Sequence, residues 1–136
     1  MLLFLLVVVC SACNKNKHQK SNCSIGFCTE EFASINIRYV DKAGKDAGVK
    51  DFTVTNLRTN KVIDVQPSIP PGSPSGYKTV ATDNNIKDFS SDGDDVRVAA
   101  TDSLTLQIKT TMMKIAGGEC ACHIIKKTGP DKVAFD

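Results

Sequence analysis

Two hydrophobic patterns divide the chain. Residues 1–9 are all apolar, and a polar stretch follows at residues 14–22. From residue 31 onward, apolar and polar residues alternate in short segments that are separated by glycine, proline, aspartate and asparagine. Alternation with a period of two places apolar side chains on one face of a β-strand. The body of the chain is therefore predicted to be all-β.

The alternation predicts eight short strands. They lie at residues 35–39, 52–55, 62–65, 77–81, 96–100, 104–108, 120–124 and 133–135. Residues 67–76 are rich in proline, which excludes a helix and a central strand there, and residues 82–95 are predicted to form a second polar loop. No segment of the body shows sustained helical spacing. Short strands separated by turn residues indicate a single antiparallel β-sandwich of about seven or eight strands.

The stretch from residue 35 to residue 64 resembles a known kind of sandwich. In it, Asp-Lys-Ala-Gly-Lys-Asp-Ala-Gly-Val links the first strand to Phe-Thr-Val-Thr, and a Thr-Asn-Lys turn follows. This order is similar to the first half of carboxypeptidase-regulatory-like and transthyretin-like domains. The resemblance implies an Ig-like, transthyretin-like sandwich, but fold alone implies no particular activity.

The N-terminal segment has the features of a lipoprotein signal peptide. The apolar run is too short to cross a bilayer as a helix but suits a signal-peptide core. Ser11 and Ala12 stand directly before Cys13, and this order resembles the lipobox of bacterial lipoproteins, which implies that Cys13 is the lipidated residue. Cys10 follows three valines and lacks a small residue before it, so it is the poorer cleavage site. The alternative is that residues 1–9 form a strand or helix of the domain.

These features divide the chain into three parts. Residues 1–12 are predicted to be the signal peptide, residues 13–22 the lipidated cysteine with a flexible tether, and residues 23–136 the β-sandwich domain. The tether begins with Asn14 rather than aspartate, which in lipoproteins of this type implies no retention in the inner membrane. Its following residues are basic rather than acidic, which favours the periplasmic face of the outer membrane over the cell surface.

The C-terminal sequence points to the same compartment. Residues 118–130 read Gly-Glu-Cys-Ala-Cys-His-Ile-Ile-Lys-Lys-Thr-Gly-Pro. This segment resembles the ends of small envelope lipoproteins of Gram-negative bacteria that have no assigned activity. The resemblance implies a cell-envelope protein and names no reaction.

Composition excludes one class of partner. The formal net charge is +2, with basic and acidic residues spread through the body. Tryptophan is absent and aromatic residues make up 6% of the chain. A dedicated nucleic-acid surface needs a basic patch, and single-strand binding also needs stacking platforms. We therefore expect no nucleic-acid partner, and no motif in the chain indicates a cofactor.

Four cysteines remain in the domain, Cys23, Cys28, Cys120 and Cys122. Export into an oxidising compartment makes disulfides the expected state. A bond between the last two would close a very small ring along a strand, so the two pairings that join N-terminal to C-terminal cysteines are preferred. The alternative is a metal or thiol-redox site in which His123 joins the four thiolates. Zinc ligands are set on turns, however, and His123 would face away from Cys120 on a strand.

Five aspartates are concentrated in one loop: Asp83, Asp88, Asp92, Asp94 and Asp95. Their spacing lacks the EF-hand order with its distal glutamate, so they are interpreted as solvated turn residues rather than a calcium site. A Ser-His-Asp arrangement would have to use His123, because His18 lies in the tether. No nucleophile elbow, paired-carboxylate signature or metalloprotease motif is present. No catalytic residue is assigned, and the chain is predicted not to be an enzyme.

Together, these observations favour a non-catalytic, lipid-anchored protein of the cell envelope that acts as a binding or scaffold module. The membrane is contacted through the lipid anchor, and a protein or a glycan is the expected partner. The alternative hypothesis is a periplasmic metal-binding or thiol-redox protein that uses the terminal cysteine and histidine cluster.

Overall fold

The computed structural model describes Cys23 and residues 27–136. The predicted signal peptide (residues 1–12), Cys13 and the tether up to residue 22 lie outside the described residues. Eight strands follow in chain order: β1 Ser34–Val40, β2 Val49–Asn56, β3 Lys61–Val62, β4 Tyr77–Thr82, β5 Asp94–Asp102, β6 Ile108–Ala116, β7 Ile125–Thr128 and β8 Lys132–Ala134. A short 3-10 helix, Asp83–Asp88, lies between β4 and β5.

The strands form two sheets. The smaller sheet has the order β4-β1-β8, and the larger sheet has the order β3-β2-β5-β6-β7. Every pairing is antiparallel except that of β1 with β8, where Tyr39 lies opposite Val133 in parallel register. Parallel neighbouring strands need a long connection between them. Here the chain from β2 to β7 connects β1 to β8. The predicted all-β sandwich of antiparallel sheets is confirmed, with this single parallel pair as the departure.

One hydrophobic core fills the space between the sheets. Its fully buried members come from both sheets and include Ile37, Tyr39 and Val80 from one and Val96, Val98, Met113 and Ile115 from the other. The ring of Tyr39 stacks on Phe135 at a centroid distance of 5.6 Å, and burial raises the pKa of Tyr39 to about 12. Each large aliphatic side chain buried in this way contributes about 1.5–3 kcal/mol to folding.

The strand expected at residues 104–108 is wrong. β5 ends at Asp102 and β6 begins only at Ile108, so residues 103–107 form the turn of a hairpin. The carboxylate of Asp102 accepts hydrogen bonds from the Leu104 N–H at 2.8 Å and from the Thr105 hydroxyl at 2.7 Å. An aspartate that bonds to the backbone two residues onward favours a turn, and it overrides the alternation of the leucines.

The strand expected at residues 120–124 is also wrong. Residues 119–123 form turns and bends, in which the Ala121 N–H donates to the carbonyl of Gly118 at 3.1 Å. β7 begins only at Ile125. The return strand expected at residues 62–65 is shortened to the two residues of β3, whereas the proline-rich residues 67–76 do form a loop outside the sheets.

The two long strands β5 and β6 give the domain two distant ends. Each strand has nine residues, so the ends are separated by about 30 Å. One end holds the start of β1, the 3-10 helix and residues 117–124, and it is called the disulfide end. The other holds the β1–β2 turn and the β5–β6 turn, and it is called the hairpin end.

Candidate functional site

Two disulfides cross-link the disulfide end. Cys23 is bonded to Cys120 and Cys28 to Cys122, with Cα–Cα distances of 5.2 and 5.3 Å and sequence separations of 97 and 94 residues. This connectivity is one of the two long-range pairings preferred from the sequence. All four sulfur atoms are used in it, so these cysteines leave no thiolate to hold a metal ion or to attack a disulfide.

His123 lies beside the disulfides in a chain of polar side chains. Its Nδ1 is 2.7 Å from Asp83 Oδ2, and its Nε2 is 2.9 Å from Thr29 Oγ1. An ionised carboxylate only accepts hydrogen bonds, so Nδ1–H donates to Asp83, and in the neutral imidazole this leaves Nε2 to accept the hydroxyl proton of Thr29. Hydroxyl, imidazole and carboxylate thus stand in the order found in Ser-His-Asp hydrolases.

Further hydrogen bonds to Asp83 indicate a structural role for this group of polar side chains. The N–H groups of Ala33 and Ile124 also donate to its carboxylate, at 2.8 and 2.9 Å. Partial burial opposes the charge of Asp83, but these two donors and His123 outweigh it and lower the pKa of Asp83. The carboxylate therefore joins the segment before β1, called the N-terminal arm, to the 3-10 helix and to the residue that precedes β7.

Asp94 is a second aspartate that is structural rather than solvated. Its side chain is 1% exposed and accepts from Arg58 Nε at 2.7 Å, Ser90 Oγ at 2.6 Å, Asn56 Nδ2 at 2.7 Å and the Ser90 N–H at 3.1 Å. Burial opposes ionisation, yet these bonds outweigh it and hold the pKa of Asp94 well below its usual range. The interpretation of the five loop aspartates as solvated is therefore wrong for Asp83 and Asp94.

A groove of about 520 Å³ runs between β2, β3, β4 and the proline-rich loop. Its lining includes Phe52, Val65, Ile69 and Tyr77 together with the charged residues Asp64 and Lys78. The volume lies in the range of small-molecule sites. Its buried polar member, Thr79, already accepts a hydrogen bond from the Ser68 N–H at 3.1 Å. The groove offers space, but its mixture of charges selects no class of ligand.

The hairpin end exposes three aliphatic side chains in a row. Leu104 is 89% exposed, Leu106 is 60% exposed and Ile108 is 69% exposed. These three residues are called the apolar tip. Isolated exposed apolar residues are ordinary, and only a large contiguous patch of several hundred Å² marks an interaction site.

The backbone of the apolar tip is held in one conformation. The Asp102 N–H donates to the Gln107 carbonyl at 2.9 Å, and Leu106 lies at φ +61°. A leucine in this left-handed region costs about 1–3 kcal/mol, which glycine or asparagine would reduce. The Gln107 side chain donates to Asp136 Oδ2 at 2.9 Å and accepts from the Asp136 N–H at 2.7 Å. The backbone of the tip is therefore held to the domain by hydrogen bonds, and Leu106 is a large apolar residue at a position that disfavours one.

Sequence reasoning missed the apolar tip because its leucines imitate a strand. The signal that could have found it is Asp102-Ser-Leu-Thr, in which an aspartate and a threonine three residues later can cap a turn. Arg58 as a partner of Asp94 and Ala33 as a partner of Asp83 gave no local signal, because they lie 36 and 50 residues away in the chain.

In the described part of the chain, no three or more histidine, cysteine, aspartate or glutamate side chains are grouped to hold a metal ion. In the same residues, no helix has the length and apolar character to cross a membrane. Comparison of the chain with protein-family models, curated proteins and solved structures finds no match. Function is therefore inferred from the residues and their geometry alone.

Proposed function

We propose that the protein is a non-catalytic, lipid-anchored component of the cell envelope that acts as a binding or scaffold module. Cys13 carries the lipid, and the domain is held at the outer membrane, on the periplasmic face in preference to the cell surface. The order Ser11-Ala12-Cys13 behind an apolar run supports the anchor. The partner is a protein or a glycan.

The observation that carries this proposal is the placement of the two disulfides. One cysteine of each disulfide, Cys23 or Cys28, lies within fifteen residues of Cys13 in the sequence. The other cysteine, Cys120 or Cys122, lies between β6 and β7. They fix the arm that follows the tether to one end of the sandwich. A domain attached in this way is held at its disulfide end, and it presents the hairpin end to a partner.

The sandwich is proposed to be of the Ig-like, transthyretin-like kind. Residues 35–64 form β1, a glycine-containing turn, β2 and the short β3, which is the order of elements in the domains that they resemble. Such sandwiches support many unrelated functions, so the proposal of a binding role rests on the site and not on the fold.

No observation favours the alternative of a metal-binding or thiol-redox protein. The four cysteines are paired with each other, and His123 is engaged by Asp83 and Thr29. Mass spectrometry of the native protein tests this directly. Two quantitative disulfides without bound metal are expected, whereas free thiols or stoichiometric zinc would revive the alternative.

Metabolic labelling with a fatty-acid analogue tests the anchor. The full chain is expected to take up label and to fractionate with outer membranes, and Cys13→Ser is expected to lose the label. Cys10→Ser is the matched control, because it removes the neighbouring cysteine and should remain labelled. Label that persists in Cys13→Ser would overturn the assignment.

A further inference from the structure

The two disulfides of the disulfide end have an interleaved order. Cys23 is bonded to Cys120 and Cys28 to Cys122, so the first cysteine of the domain pairs with the third and the second with the fourth. Neither bond joins two cysteines that follow one another in this order. Oxidation in the order of appearance would give a bond between Cys23 and Cys28 instead.

We propose that the protein reaches its native pairing through an earlier bond between Cys23 and Cys28, and that a disulfide isomerase of the envelope converts this bond. The partner is identified by its chemistry, as a protein with a reactive dithiol. The inference rests on the proposed function, because export brings the chain into the oxidising compartment in which the early bond forms.

The order of synthesis and the distance along the chain both favour the early bond. Residues emerge in order, so Cys23 and Cys28 enter the compartment roughly ninety residues before Cys120. Cys23 is five residues from Cys28 but 97 residues from Cys120. The probability of loop closure falls with about the 3/2 power of loop length, so an unfolded chain closes the short loop on the order of 80 times more often.

Contacts of the folded domain, in contrast, select the native pairing. Thr29 follows Cys28, and its hydroxyl lies 2.9 Å from Nε2 of His123, which follows Cys122. The same imidazole is held at 2.7 Å by Asp83 of the 3-10 helix. These contacts place the N-terminal arm alongside residues 122–124, but they form only after His123 has emerged. The native pairs therefore form late, when the early bond is already present.

Conversion of the early bond is an exchange without net oxidation. The isomerase thiolate attacks the sulfur of Cys23, forms a mixed disulfide and releases Cys28 as a thiolate. Cys120 loses its proton, which passes through water to Cys28. Its thiolate then attacks the same Cys23 sulfur, forms the native bond and releases the isomerase thiolate. The remaining thiols of Cys28 and Cys122 give two electrons and two protons to the disulfide of an envelope dithiol oxidase, which closes the second bond.

An unaided attack of Cys120 on the early bond is disfavoured. The thiolate is the attacking species, and an ordinary cysteine is only a few per cent ionised at neutral pH. Cys120 directly follows Glu119, whose negative charge opposes ionisation of a nearby thiol. The mixed disulfide is easier to resolve, because its leaving group is an isomerase thiol of low pKa. Each native disulfide also retains one exposed cysteine, Cys28 or Cys120, so the enzyme can reach this end of the domain.

A pulse-chase experiment with the full lipidated chain in a Gram-negative host tests the proposal. Samples are quenched with acid, their free thiols are alkylated, and tryptic peptides are mapped by mass spectrometry. The early bond lies within peptide 21–38, whereas the native bonds join this peptide to peptide 115–126. The internally bonded peptide is expected first and the joined peptides later. In cells that lack the periplasmic disulfide isomerase, this conversion is expected to slow at least tenfold.

A trapping variant of the isomerase identifies the partner directly. Replacement of its second active-site cysteine by alanine prevents release of the mixed disulfide. This variant is expected to be captured covalently on the wild-type chain, through Cys23 or Cys28.

Two double substitutions serve as matched controls, because each removes the early bond and keeps one native bond. Cys23→Ser with Cys120→Ser leaves Cys28 and Cys122, and Cys28→Ser with Cys122→Ser leaves the other pair. Only one bond is then possible in the domain. Each variant is expected to form it at the same rate with and without the isomerase, and to capture the trapping variant at least tenfold less.

The remaining outcomes overturn the proposal in distinct ways. Joined peptides that appear without an earlier internal bond would refute the early bond. Equal conversion in both strains, without a trapped adduct, would show unaided exchange and refute the isomerase as partner. Fatty-acid label in the same samples reports on Cys13 separately. A labelled chain without the early bond refutes this inference alone, and an unlabelled chain that shows the conversion refutes the anchor alone. An unlabelled chain with reduced cysteines refutes export and this inference with it.

Discussion

Replacing Asp94 by asparagine retains the shape of the side chain but removes its charge. The carboxylate accepts four hydrogen bonds from Arg58, Ser90 and Asn56 while being 1% exposed. An asparagine can keep its carbonyl oxygen toward Asn56 and the Ser90 N–H. Its amide then faces Arg58, whose side chain is 52% exposed and can turn into water.

The loss of unfolding free energy depends on which hydrogen-bond donors lose their acceptor. Asp94→Asn gives up the charge-assisted bond to Arg58 and weakens the others, which amounts to about 2 kcal/mol of unfolding free energy. Asp94→Ala in addition leaves the Ser90 N–H and one proton of the buried Asn56 amide without an acceptor, which raises the loss to about 4 kcal/mol. The neighbouring Asp95 is exposed and lies opposite Lys114 on the outer face of the sheet, so Asp95→Asn should change stability by less than about 0.5 kcal/mol.

The stability that ionised Asp94 contributes should decrease as the pH falls. The pKa of Asp94 is lower in the folded than in the unfolded protein, so its contribution is fully present above the unfolded pKa of about 3.9 and is lost as the pH falls through the folded pKa. The wild-type protein should therefore lose stability from about pH 5 downward. Asp94→Asn should lose less over the same interval, so the difference between the two proteins narrows in acid.

Urea unfolding of protein beginning at Ser21, with its disulfides intact, measures these differences at pH 7 and pH 3. The expected order of stability at pH 7 is wild type and Asp95→Asn, then Asp94→Asn, then Asp94→Ala. Equal midpoints for the first three proteins at pH 7, or a gap between wild type and Asp94→Asn that is unchanged at pH 3, would refute the reasoning.

Three further predictions concern the cross-links, a close backbone contact and calcium. Reduction of both disulfides should lower the free energy of unfolding by a few kcal/mol and leave the sheets intact. Closing a loop of 97 residues is worth about 4–5 kcal/mol in the chain-entropy model. The second disulfide adds less, because it then closes only a small ring. An unchanged thermal midpoint after verified reduction would contradict the stapling role. Gly76→Ala should cost about 3 kcal/mol, because its Cβ would lie 2.2 Å from the Tyr39 carbonyl oxygen, whereas Gly48→Ala meets only ordinary contacts and should be tolerated in the same assay. Millimolar calcium should leave the midpoint unchanged, because Asp83 and Asp94 are already engaged by donors; a rise of several degrees would show a calcium site.

Strands β1, β2, β4 and β5 were predictable from sequence because one face of each strand is buried, whereas most of β6 was missed. Ile35, Ile37 and Tyr39 alternate because β1 turns them all toward the core, and Val96 and Val98 do the same in β5. The parallel pairing of β1 with β8 was not predictable, because alternation records which face is buried and not which strand lies alongside.

The turns and polar clusters were harder to predict. They depend on hydrogen bonds to residues distant in the sequence, or on local hydrogen bonds that override the alternation of apolar residues. Leu104 and Leu106 alternate as a strand does, but the hydrogen bonds of Asp102 fix a turn. His123 was set on a strand, whereas its orientation depends on Asp83, which is 40 residues away in the chain. The cysteine pairings could be narrowed to two by ring size, but choosing between them needed the relative positions of the arm and residues 120–122.

The parallel pairing of β1 with β8 affects the moment at which the chain can fold. A ribosome or a translocation pore releases residues in order, so β1 emerges roughly ninety residues before its neighbour at Lys132–Ala134. The smaller sheet stays two-stranded until then, and Cys120 and Cys122 emerge only shortly before. Completion of the core and closure of both cross-links therefore wait until residues 120–134 have emerged. Contacts between residues so far apart in the chain make this step of folding slow.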